Sequence, residues 1–264
     1  MAGGMLMTTD NPLLVCWILA MICLNLAVDK GSLPLFILMG LFLALGIAAK
    51  YTMLLFIPLA LAASFWIGRG QDMPPLFWSR LWKTIGIGGA AGLLPILIWN
   101  ATNGWVGIKH VLYRGALAGD NARVFFELKN FPEYLASQLG VVTPWWSVFL
   151  FIGAWLVARQ LLSRRSEPAF PWLPRHMAVI LTVFFWPVWL LFLFWSLHAK
   201  VEANWSGTAY PAGMLLAALA VERFVHRDPR PRWRFAWPAL GAVVFVLLHL
   251  QGFIPFDGEK NPAH

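Results

Sequence analysis

Apolar residues lie along this chain in long unbroken runs rather than in the alternating or 3.6-residue stripes of water-facing elements. Such runs read as membrane-crossing helices, because about 30 Å of hydrocarbon takes about 20 apolar residues to span. They fall at residues 12–28, 33–49, 51–68, 84–100, 141–158, 177–197, 207–222 and 235–252. The pattern predicts an all-α fold, a polytopic transmembrane helix bundle of about eight spans over residues 1–252, with a tail at 253–264 on the outer face.

The second and third runs join into one apolar stretch, 33–68, interrupted at its centre by Lys50. A single helix of that length would extend about 54 Å, too far for one crossing. It would also hold an ammonium in the middle of the bilayer, where charge is costly. A hairpin turning at Ala48 to Thr52 resolves both problems.

Composition supports this class. The chain of 264 residues is 59% hydrophobic and 12% charged, half the charge of an ordinary soluble domain. Its 16 Trp and 20 Phe suit helix ends lying among lipid headgroups. The net charge of +8 does not signal nucleic-acid binding, because the basic residues fall in short clusters between apolar runs. Those clusters orient the bundle instead. On the predicted topology 13 of the 20 Lys and Arg share one face, which the positive-inside rule makes cytoplasmic. Both termini and most other polar residues then face outward, towards the periplasm if the membrane is a bacterial inner membrane. Cys16 and Cys23 share one apolar run and form no CxxC motif, the six His show no i, i+4 pair, and no cofactor or divalent-metal site follows from spacing. The first residues lack a basic n-region and a small-residue cleavage site, so they do not read as a signal peptide.

Three outer segments carry candidate chemistry. In AAKYT, Lys50 and Tyr51 could hold a lipid phosphate, or could be a snorkelling cation and an interfacial anchor. HAKVEANW places His198, Lys200, Glu202 and Asn204 within seven positions directly after an apolar helix; it suits a site, and equally a solvated loop with a weak Lys200–Glu202 pair. The stretch Pro95 to Gly115 carries Lys109, His110 and Arg114 to the outer side, against the positive-inside trend, as an anion site or an amphipathic interfacial helix would. Asp10, before Asn11 and Pro12, sits at a helix start, where a carboxylate complements the dipole. Gly88-x-x-x-Gly92 is a small-residue face for close helix packing.

Four segments in order, MLMTTDNPLLVCW, GLFLALGIAAKYTMLLFIP, LPILIWNATNGWVGIKH and HAKVEANWSGTAYPA, resemble the bacterial family 39-like, GT-C membrane glycosyltransferases. These are relatives of protein mannosyltransferases and lipid A aminoarabinose transferase. The resemblance implies a helical bundle with an outward-facing site that moves a sugar from a polyprenyl phosphate to a lipid, glycan or protein acceptor. It implies membrane lipids and the lipid-linked sugar as partners. Such chemistry needs a carboxylate to take the acceptor's proton and cations to stabilise the leaving phosphate. Asp10 and Glu202 are the acid–base candidates; Lys50, Tyr51, Arg114, His198, Lys200 and Asn204 are the candidates for binding substrate and phosphate. The family's principal acidic motif usually precedes the TTDNP-like segment, which here lies at the start, so the chain is expected to be the later part of a longer enzyme and inactive alone. A transporter or flippase for an anionic lipid, or a non-catalytic scaffold, are the competing classes. A transporter would place its charges near the midplane, and a scaffold would tolerate loss of Lys50 and Lys200.

Overall fold

The computed structural model describes residues 9–117, 128–163, 168–227, 239–243 and 246–247. The first apolar run forms α1, Asp10–Lys30, which stops where Gly31 takes a left-handed conformation (φ 58°) and turns the chain back. Only glycine adopts that geometry without strain, and a Cβ there would also lie 2.6 Å from Pro74 Cβ. Helix α2, Leu33–Ala49, returns to the level of Asp10 and ends at Lys50, whose backbone is extended (φ −160°, ψ 136°). A 3₁₀ turn at Tyr51–Leu55 leads into α3, Phe56–Gly68. The hairpin expected at Ala48 to Thr52 is therefore present.

Helix α4, Phe77–Thr102, climbs back to the Asp10 side, where the short α5, Val106–Arg114, follows. Helices α6, Asn130–Val142, and α7, Pro144–Leu162, are separated by Thr143. Helix α8, Arg175–Trp195, is followed by the loop of residues 196–204, a 3₁₀ turn at Trp205–Ala209, and α9, Tyr210–Arg227. Among the described residues there is no strand.

Among the described residues, five segments are long and apolar enough to cross a membrane: α1, the 3₁₀ turn with α3, α4, α7 and α8. The 17-residue α2 is shorter but wholly apolar. Helix α9 matches the run at 207–222, although its last turns carry Glu222, Arg223 and Arg227. Of the run at 235–252, only 239–243 and 246–247 lie within the described residues, and both pieces are helical; the 253–264 tail lies outside them, as do Arg164, Arg165, Arg230, Arg232 and Arg234.

The core is knitted by rings. Trp17 of α1, Phe56 of α3 and Phe184 of α8 meet with centroids 5.1 to 5.8 Å apart, so three helices share one aromatic centre. Helices α2 and α4 pack backbone to backbone instead. A Cβ on Gly88 would stand 2.6 Å from the Gly40 carbonyl oxygen, and one on Gly92 would stand 2.8 Å from that of Ala44. The Gly88-x-x-x-Gly92 face thus does what its spacing suggests. Gly88→Ala is expected to cost about 1 to 3 kcal/mol through overpacking. Gly86→Ala, where an added Cβ meets nothing within 4 Å, should be neutral. Thermal unfolding of both variants in detergent checks the pair; equal midpoints would refute the close-contact account.

The charged far ends of these helices form one surface. There Arg80 donates to the Gly31 carbonyl, the Arg175 guanidinium lies against Gly70, His176 approaches Asp29 at 3.3 Å, and Arg223 donates to the Ala169 carbonyl. Gln160 fastens the loop on that side by donating to the Phe170 carbonyl and accepting from the Phe170 N–H, at 3.1 and 2.8 Å.

Candidate functional site

At the opposite end of the bundle the fold draws together residues far apart in sequence. Asp10 opens α1, Lys50 closes α2, and Asn204 precedes the 3₁₀ turn before α9. Lys50 Nζ lies 2.5 Å from Asp10 Oδ1, and Asn204 Nδ2 donates to Asp10 Oδ2 at 2.8 Å. The ion pair is partly buried, with side chains 23% and 20% exposed, so its attraction is screened less than that of a surface pair. Both Asp10 oxygens are thereby held in fixed directions.

Asp10 and Asn204 also form the polar head of a cavity of about 1030 Å³. Its walls below them are apolar. Leu14, Ile18 and Ile22 form a stripe along α1, and Pro211, Met214 and Leu215 face it from α9. The α1 stripe repeats every four residues from Asp10 to Ile22, so it runs about 18 Å along the helix axis. The cavity is a groove with a charged mouth and a long hydrocarbon-like floor.

A hydrogen-bonded frame fixes Asn204. The buried Gln138 of α6 accepts from Ser206 Oγ at 2.7 Å and from the Tyr210 hydroxyl, and its Nε2 donates to the Ala203 carbonyl at 3.2 Å. Asn204 therefore sits on a segment pinned on both sides. A second frame holds the start of α5. The buried Asn100 donates to the Ile96 carbonyl at 2.9 Å and accepts from Ile108 N–H at 3.1 Å, across a turn in which Gly104 and Trp105 are both left-handed. Tyr51 lies beneath this turn, since a Cβ on Gly107 would come 3.4 Å from its hydroxyl.

Three of the other expected residues form a rim with Glu133. Arg114 at the end of α5 donates to Glu202 at 3.1 Å, and Lys200 pairs with Glu133 of α6 at 2.8 Å. The Lys200–Glu202 pair weighed from sequence is replaced by these cross-links, because the loop turns the two side chains towards different helices. Glu133, by hydrogen bond and then by charge, with help from Glu202, raises the Lys200 pKa above its ordinary value. All four rim side chains are 43 to 62% exposed. His198 is buried, its Nε2 3.3 Å from the Ala116 carbonyl oxygen and its ring edge-on to Trp195. Of the eight expected site residues, Asp10, Lys50 and Asn204 are brought into one cluster; Arg114, Glu202 and Lys200 lie on the rim; Tyr51 and His198 are packed into its supports. Among the described residues no three His, Cys, Asp or Glu side chains gather as a metal site would need.

Comparison with known proteins points to membrane glycosyltransferases as what the chain resembles. Residues 1–99, which include Asp10, Lys50 and Tyr51, match the family model described as dolichyl-phosphate-mannose-protein mannosyltransferase. Over 213 residues, 80% of its length, the chain is 29% identical to lipid A galacturonosyltransferase RgtD of Rhizobium johnstonii. The chain is therefore similar to GT-C membrane glycosyltransferases. It spans about 40% of the length of that relative. No solved structure matches it significantly. The GT-C resemblance carried by the TTDNP and AAKYT segments thus places Lys50 and Asp10 inside the matched part, and the fold makes them one ion pair.

Gln138 and Asn100 are the residues that sequence reasoning passed over as site supports. Gln138 stands alone in NFPEYLASQLG with no motif around it, and only its burial against Ser206 and Tyr210 marks it. Asn100 offered one signal, an amide at the end of an apolar helix beside Trp99.

Proposed function

We propose that this chain forms part of a membrane glycosyltransferase, with the groove beneath Asp10, Lys50 and Asn204 receiving the polyprenyl phosphate of a lipid-linked sugar. The observation that carries this is the groove itself, whose head is the Asp10 carboxylate and the Asn204 amide, with the Lys50 ammonium 2.5 Å from that carboxylate, and whose remaining walls are largely apolar. A polyprenyl phosphate has the same division. Its phosphate would take charge-assisted hydrogen bonds from Lys50 and Asn204. Its tail would follow the α1 stripe into the bilayer.

In this proposal the sugar is displaced from phosphate by an acceptor hydroxyl. Lys50 and Asn204 offset the charge that develops on the departing phosphate oxygen. Asp10, which lines the groove, would receive the acceptor's proton, while Glu202, which pairs with Arg114 and does not line the groove, would orient the acceptor. The acceptor suggested by the relative is a lipid A-type glycolipid, with glycan and protein acceptors as other members of the class. The site would face the periplasm of a bacterial inner membrane, because the opposite surface carries Lys30, Arg69, Arg80, Lys83, Arg159, Arg175 and Arg223. A bundle of about eight crossings within this chain belongs to the same proposal. A transporter is favoured less, since Asp10 and Lys50 lie at helix ends rather than at mid-helix.

The test is retention of lipid by the purified chain in nanodiscs. A polyprenyl phosphate should be held against an excess of the uncharged polyprenol of equal length. If native mass spectrometry finds the two retained equally, the phosphate site is wrong.

A further inference from the structure

At the other membrane surface a second groove lies on the seam between α2 and α4. These two helices are parallel and in constant register. Thr84 Oγ1 donates to the Phe36 carbonyl at 3.1 Å, Gly88 abuts Gly40 and Gly92 abuts Ala44, so these three contacts carry the same offset in sequence. With the backbones touching, the larger side chains splay apart and leave a furrow of about 370 Å³. Leu33, Ile37 and Leu41 wall it on α2, and Ile87 and Ala91 wall it on α4. Ile37 is 62% and Ile87 71% exposed, so the furrow opens outward from the bundle.

Arg80 and Lys83 stand at one end of this furrow, and no Asp or Glu lines it. From Arg80 to Ala91 it runs about 16 Å along the axis of α4. Arg80 is not a freely snorkelling side chain. Its donation to the Gly31 carbonyl fixes the guanidinium at the turn between α1 and α2, and a guanidinium has further N–H donors to offer. Lys83, one turn along α4, is exposed beside it.

We infer that this furrow binds an anionic phospholipid of the leaflet opposite the Asp10 site, with its phosphate at Arg80 and Lys83 and one acyl chain along the seam. Lipid tails are as apolar as the furrow, so the walls contribute fit rather than a net hydrophobic gain. Selectivity comes from charge. Two basic residues at a membrane surface contribute about 1 kcal/mol each towards an anionic headgroup, which corresponds to a preference of about 30-fold. The inference does not depend on the transferase proposal, because the two grooves lie at opposite ends of the bundle and share no residue.

The purified chain, in nanodiscs of phosphatidylcholine doped with phosphatidylglycerol of the same acyl composition, should retain phosphatidylglycerol by native mass spectrometry with about a 30-fold preference. Lys83→Ala should reduce the preference severalfold, and Arg80→Gln with Lys83→Gln should abolish it. Ala91→Trp, which fills the furrow without touching charge, should lower occupancy of either lipid. Lys83 and Ala91 are exposed, so those variants remain informative even if loss of the Arg80–Gly31 contact weakens folding. An unchanged preference in Lys83→Ala together with unchanged occupancy in Ala91→Trp would overturn the assignment. So would displacement of phosphatidylglycerol from the unaltered chain by a polyprenyl phosphate, since the furrow would then be a second site for that lipid.

Discussion

Lys50→Ala is expected to weaken retention of a polyprenyl phosphate about 10- to 150-fold, the worth of one charge-assisted hydrogen bond of about 1.5 to 3 kcal/mol. The effect should extend to short prenyl phosphates, because the contact lies at the head of the groove and not along its floor. Lys50 already has a partner in Asp10, so a bound phosphate shares or competes for the ammonium. Asp10→Asn should therefore leave phosphate retention equal or stronger while reducing sugar transfer, if Asp10 receives the acceptor's proton. Lys200→Ala is the internal control. Its side chain is 62% exposed and paired with Glu133 on the rim, where an ion pair contributes little. Titration of a fluorescent or mass-resolved polyprenyl phosphate onto the chain in nanodiscs reads retention in all three, and a sugar-transfer assay reads the loss in Asp10→Asn. If Lys50→Ala binds like the unaltered chain, the scaffold alternative gains and the phosphate role of Lys50 fails.

Ile18→Trp should produce the complementary pattern. Ile18 sits two helical turns below Asp10 on the groove wall and is 40% exposed. A tryptophan there projects into the groove. Because bilayer and groove are equally apolar, the loss comes from steric exclusion of the tail, which by analogy with overpacking is about 1 to 3 kcal/mol, or roughly 5- to 150-fold. A prenyl phosphate too short to reach Ile18 should bind as before. Unchanged affinity for the long-chain phosphate would show that its tail leaves the site by another route, and the groove would lose its assigned occupant.

The membrane class, the positions of most helices and the hairpin at Lys50 were legible before any coordinates. Apolar run length is a local quantity, and a charged residue midway along a run of twice the spanning length admits few solutions. Helix ends were less so. The pattern began the fourth span at residue 84, whereas α4 starts at Phe77, because Arg80 and Lys83 broke the apolar run while remaining helical at the membrane surface.

Candidate residues were legible as types and segments, not as partners. Asp10, Lys50 and Asn204 were each singled out, but for separate reasons, and nothing in the order of residues joined positions 40 and 194 apart. His198 stood beside Lys200 and Glu202 in sequence, yet it turns inward against Ala116 and Trp195 while its neighbours pair outward. Gln138 was invisible because a lone amide in an amphipathic segment has no spacing to betray it.

The sequence alone determined that this chain belongs in a membrane, where most of its apolar helices lie, which surface is basic and which family it resembles, since all of these follow from composition and order along one dimension. Tertiary structure decided that Lys50 answers Asp10, that Asn204 completes their cluster, and that an apolar groove opens beneath them. Those depend on which helix faces pack together, and side-chain packing in three dimensions is a property of the bundle rather than of any one of its runs.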